Sequence, residues 1–146
     1  MDRGVGRNQR LVQLSRKLAG RRPVLFHGTR YPKSIARSGM LLFATAGDPV
    51  VCFSRSVEVA AYWADMPRDD DEGRGAVFVF DRCSLATRYR LEPFHDPIWD
   101  TPTFRNDEME ERVWLTTQDF RLTAVGQVSM AAGRAQARAS ARASSC

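Results

Sequence analysis

Apolar residues at Leu11, Val12, Leu14 and Leu18 recur at helical spacing, which predicts a short amphipathic helix over 8–19, closed by Gly20 and packed on the outside of the main fold. After Pro23 the pattern changes. Val24-Leu25-Phe26 is a continuous apolar run ending in His27-Gly28-Thr29, which predicts a buried strand whose glycine leaves the backbone open to close approach. Ser34 to Ser38 predicts a helical stretch with Ile35 inward and Gly39 as its C-cap, and Met40 to Phe43 a short strand. Val50-Val51-Cys52-Phe53-Ser54 predicts a second buried strand, and Val57 to Ala64 a helix with Ser56 as N-cap.

Residues 66–75 are polar and glycine-rich and predict an exposed, solvated loop rather than a cation site. Ala76-Val77-Phe78-Val79-Phe80 predicts a third strand, Asp81 to Thr87 a turn or short helix, and Tyr89 to Glu92 a half-exposed strand. Residues 93–108 hold three prolines and no period, as a functional loop does. Glu111 to Leu115 and Ala124 to Met130 predict the last strands. From Ala131 the Ala/Arg/Ser tail offers no large side chain to offset its ordering entropy, so residues 131–146 are expected to be disordered. The sum is a strand-dominated α+β domain over residues 23–130 behind a basic N-terminal helical extension, residues 1–22.

Composition narrows this picture without redirecting it. The 146 residues suffice for one domain with a core; 43% are hydrophobic, and no apolar run approaches the ~20 residues of a membrane span. No apolar secretory core follows the N-terminal arginines, and Cys52, Cys83 and Cys146 show neither paired nor metal-ligand spacing. These features favour a reducing, cytoplasmic setting and no metal. Charge is unevenly divided: residues 1–22 stand at +6, residues 133–146 at +3 and residues 23–132 at −4, within a net +5. The basic ends can hold nucleic acid or an acidic partner, but solvated flanks are the commoner use of such ends.

Three pieces carry candidate chemistry in chain order: the strand ending His27-Gly28-Thr29, the strand ending Phe53-Ser54 before a helix bearing Ala60-Ala61-Tyr62, and the acidic strand opening at Glu110-Glu111. In this order they resemble the His-Tyr-Glu branch of the ADP-ribosyltransferases, which includes diphtheria toxin and the poly(ADP-ribose) polymerases. The resemblance runs over about 105 residues, from Pro23 to about Gln127. It implies a split β-sandwich gripping NAD in a cleft between two small sheets, and transfer of ADP-ribose to a macromolecular acceptor, protein or nucleic acid. Such an activity suits a bacterial or phage effector or toxin.

The resemblance also implies roles. His27 would hydrogen-bond a ribose hydroxyl, and the backbone of Gly28, beside Thr29, would pair with the nicotinamide carboxamide, an approach a Cβ would crowd. Tyr62 would stack on the nicotinamide ring. Phe53 stands where many relatives have a tyrosine and keeps only the apolar wall. Ser54 would orient the catalytic carboxylate. Arg30 and Arg55, from their places just after the two strand ends, are either contacts for the pyrophosphate or exposed surface arginines. Alternation favours Glu111 as that carboxylate because it shares a face with Val113 and Leu115; Glu110, on the face of Arg112 and Trp114, is the alternative. His95 is a candidate acceptor contact. Three further readings remain: an NAD glycohydrolase using water, an RNA 2′-phosphotransferase, which favours a more basic cleft than a −4 core supplies, and a small nucleic-acid-binding or interaction module.

Overall fold

Ala76-Val77-Phe78-Val79-Phe80-Asp81 shows no alternation of apolar and polar residues, and all six positions are buried, as expected of a strand covered on both faces. A computed structural model of the chain describes residues 3–41, 49–94, 110–115, 126–131 and 134–139. Along these run α1 (Arg3–Ala19), β1 (Val24–Thr29), α2 (Pro32–Ser38), β2 (Val50–Ser54), α3 (Val57–Asp65), β3 (Ala76–Asp81), α4 (Arg82–Arg88), β4 (Leu91–Phe94), β5 (Glu110–Trp114), β6 (Gly126–Ala131) and β7 (Arg134–Ala139). The class is α+β. The strands pair antiparallel throughout, in the order β4-β5-β2-β1-β3-β6-β7.

The helices end where the sequence signals place their caps, although α1 begins at Arg3 rather than residue 8 and α2 at Pro32 rather than Ser34. Gly39 closes α2 in the left-handed conformation at φ 66°, its N–H bonding the Ile35 carbonyl. Ser56 caps α3 by accepting from the Val59 N–H, and Asp81 caps α4 by accepting from the Ser84 N–H at 3.0 Å. Because Tyr89 still bonds the Leu85 carbonyl at the end of α4, the following strand starts at Leu91 rather than Tyr89. Alternation along the strands sends Phe26, Val77 and Val79 into a core under α1 and α3. Leu25, Phe53, Phe78, Phe80 and Val113 enter a second core on the opposite face, where Leu85 of α4 joins them.

Helix α3 lies unusually close to the sheet. A Cβ at Gly28 would collide with the Ala60 carbonyl, and one at Gly75 with the Ala64 carbonyl. Gly28 is thus fixed by helix-on-strand packing, and a Cβ there would meet the helix.

Three expectations change. Within the Ala/Arg/Ser tail, expected to be disordered, residues 134–139 form edge strand β7, paired with β6 over six register positions and lying against α1. A strand added at an edge needs ladder hydrogen bonds more than apolar bulk. Cys83 is disulfide-bonded, with its partner outside the described residues, so unpaired cysteines no longer argue for a reducing compartment. Of the strand expected at Met40 to Phe43, Met40 makes an isolated bridge, and 42–43, like His95 and most of the 93–108 loop, lie outside the described residues. No described helix is long and apolar enough to cross a membrane.

Candidate functional site

Strand β1 is zipped to β3 along its full length, from Val24↔Asp81 to Thr29↔Ala76, but meets β2 at a single pair, Phe26↔Ser54. Beyond that pair the two strands part. Half of a strand's amide and carbonyl groups point to each side, so the segment from His27 to Thr29 presents backbone groups with no ladder partner on the β2 side. A cavity of about 730 Å³ opens at this fork, a volume suited to a small ligand or cofactor. His27 to Tyr31 form one wall, Cys52 to Ser54 another, and Val59, Ala60 and Trp63 of α3 a third, with Glu110 at the mouth of β5.

His27 Nδ1 lies 2.8 Å from the Cys52 carbonyl oxygen. A carbonyl only accepts, so Nδ1 carries the proton and Nε2 of the neutral ring keeps its lone pair. Burial lowers the His27 pKa below 6.5, partly opposed by that hydrogen bond. The ring stands edge-on to Phe53, centroids 5.8 Å apart, and Phe53 in turn packs edge-on to Phe80 at 5.1 Å. The imidazole is therefore oriented from two sides before any ligand arrives.

The two adjacent glutamates part company. Glu111 pairs with Phe53 across β2 and β5 and so faces the second core, where its side chain is 1% exposed. It accepts a forked set of bonds from Arg82, Nη2 at 2.7 Å and Nε at 3.1–3.2 Å, with Arg55 Nε 3.7 Å away. This contact holds the Arg82 pKa above its ordinary value. Glu111 does not line the cavity. Glu110 does, directly opposite Ser54 and on the face that alternation made the second choice.

Other candidates are also redistributed. Tyr62 is 49% exposed and lies outside the cavity lining; Trp63 is the aromatic that α3 contributes, one helical turn after Val59 on the same face. Arg55 reaches toward Glu111. Arg30 lines the cavity, but its Nε donates to Asp71 at 2.9 Å and its Nη1 to the Ala64 carbonyl at 3.2 Å. Thr29 accepts from the Tyr31 N–H through its hydroxyl. Gly28, Phe53 and Ser54 stand in the lining as expected.

The loop over residues 66–75 is exposed at 67–70 and 73, as expected, but it is also docked. Asp70 accepts from the Tyr31 hydroxyl at 2.7 Å, and Glu72 accepts from the Lys33 and Ser34 N–H groups and the Ser34 hydroxyl, capping α2 from outside. The Arg30 hydrogen bond, joined by the Arg68 and Gly73 N–H groups, holds the Asp71 carboxyl well below the usual carboxylate range. This docking puts Arg68 in the cavity lining, with no ion-pair partner among the described residues. Trp63 and Arg68 escape sequence reading because both depend on which way a helix and a loop dock. Among the described residues no group of three His, Cys, Asp or Glu side chains could hold a metal ion. Compared with protein-family models, curated proteins and solved structures, the chain matches none.

Two outcomes follow from this geometry. Arg82→Met, which strands a buried carboxylate, is expected to lower unfolding free energy by about 3 kcal/mol. Glu111→Gln leaves the half-exposed Arg82 to water and is expected to lower it by only about 1 kcal/mol. Urea unfolding of both variants checks the order, and equal stability of Arg82→Met and wild type would contradict it. His27 favours its neutral form when folded, so its contribution to stability is complete above pH 6.5 and is lost as pH falls below that value. Imidazole ¹⁵N shifts at pH 7 should show Nδ1 protonated and Nε2 bare; a doubly protonated ring would refute the assignment.

Proposed function

We propose that the chain is an NAD-dependent ADP-ribosyltransferase of the His-Tyr-Glu type, transferring ADP-ribose to a macromolecular acceptor. The observation that carries this reading is the fork between β1 and β2, with His27 and open backbone on one wall and Glu110 beside Ser54 on the other. Effectively the sheet divides there into β4-β5-β2 and β1-β3-β6-β7, hinged at Phe26↔Ser54, which accords with a split sandwich.

Each wall has a task in breaking the bond between nicotinamide and ribose. The unladdered backbone at Gly28 offers a donor and an acceptor to the flat carboxamide, and the bare Nε2 of His27 accepts from a ribose hydroxyl. Phe53 and Trp63 supply apolar wall for the nicotinamide ring, the place given from sequence to Tyr62. Glu110 takes the carboxylate role, its charge set against the positive charge that develops at the ribose carbon as the leaving group departs. Arg68, rather than Arg30 or Arg55, faces the pyrophosphate, since the other two guanidinium groups already hold Asp71 and Glu111.

The test is incubation with NAD labelled on the adenylate side, alone and with cell extract, following nicotinamide release and label transfer. Glu110→Gln is expected to cut nicotinamide release by about 100-fold or more, because it removes charge stabilisation with almost no change of shape. Arg68→Ala should instead raise the Kd for NAD by about tenfold. Wild-type protein that neither binds nor consumes millimolar NAD refutes the reading, and release without label transfer reassigns the acceptor to water.

A further inference from the structure

We infer that Arg112 is a positioning residue, holding the Glu110 carboxylate in the cavity wall, and that Phe94 in turn holds Arg112. The inference rests on the NAD reading of the cavity. Glu110 and Arg112 lie two positions apart on β5 and so share a face, with Arg112 Nε 3.5 Å from Glu110 Oε2. The side chains are only 18% and 13% exposed, so little water screens the contact. The guanidinium carbon of Arg112 lies 3.4 Å from the centre of the Phe94 ring. Phe94 is opposite Glu110 across β4 and β5, and Ser54 is opposite it across β2 and β5. The carboxylate is thereby flanked by Ser54 on one strand, Phe94 on the other and Arg112 along its own.

A glutamate has three rotatable bonds, and a group that must meet a developing charge needs them fixed beforehand. Arginine suits the task in a way lysine does not, since its flat guanidinium can lie on the ring while its delocalised charge stays within ion-pair distance of the carboxylate, a contact made here without a hydrogen bond from Nε. Arg112 is itself absent from the cavity lining, so it acts through Glu110.

The experiment is steady-state nicotinamide release by wild type, Arg112→Met, Arg112→Lys, Glu110→Gln and the double variant Glu110→Gln with Arg112→Met, with circular dichroism confirming folding. Arg112→Met should lower kcat by about tenfold or more with KM within about twofold, and Arg112→Lys should recover part of the loss. In the Glu110→Gln background the Arg112→Met loss should vanish, since the residues act as one unit. An equal loss in both backgrounds, or a change in KM alone, overturns the inference. If Arg112→Met fails to fold, Phe94→Leu takes its place with the same expectations. If wild type releases no nicotinamide, the NAD reading falls, while crystal structures of wild type and the variant still decide the positioning. Glu110 swung out of the cavity wall in the variant upholds it, and an unmoved Glu110 refutes it.

Discussion

Strand β1 is fastened on one side and open on the other, and the arrangement of the cavity follows from that asymmetry. Six register pairs bind it to β3, while Phe26↔Ser54 alone binds it to β2. A strand free on both sides would have no fixed position; one paired on both sides would have no backbone to offer a ligand. Helix α3 tightens the constraint by resting its carbonyls on Gly28 and Gly75, where a side chain would push it off the sheet. The same closeness brings Val59, Ala60 and Trp63 to the cavity edge. One glycine contact therefore sets both the packing of a layer and the shape of a wall.

Period-two alternation then sorts neighbouring residues into different work. Glu111 goes to the core face, where a fully buried charge persists only because Arg82 and Arg55 meet it. Glu110 goes to the cavity face beside Ser54 and Arg112. The first ties the start of β5 to the ends of β2 and β3, and in doing so sets the register that delivers the second. His27 and Phe53 show the same economy, as one packing contact orients the imidazole and continues into the core through Phe80.

The local signals were legible because each depends on nearby residues: Gly39 ending α2, Ser56 opening α3, and the unbroken apolar run of β3. His27, Gly28, Phe53 and Ser54 were likewise legible as lining residues, since strand ends fix where they stand. Alternation favoured Glu111 over Glu110, yet alone it did not settle which of the two lines the cavity. It shows that the two face opposite ways, and sharing a face with Val113 and Leu115 turns out to mean burial in the core. Tyr62 and Trp63 differ by about 100° around α3, an angle that matters only once the helix is docked. Docking also made the exposed acidic loop a clasp on Arg30, Tyr31 and α2. Strand β7 was hidden for a related reason, since an edge strand is recruited by the ladder of its neighbour rather than by its own apolar content.

Amide hydrogen exchange with and without NAD tests the open side of β1 most directly. If the fork is the ligand site, NAD at saturating concentration should slow exchange of those amides within residues 27–31 and 52–54 that point into the fork, and leave the amides bonded between β1 and β3, already protected, unchanged. Binding that leaves residues 27–31 exchanging as before, with protection appearing elsewhere, would contradict it.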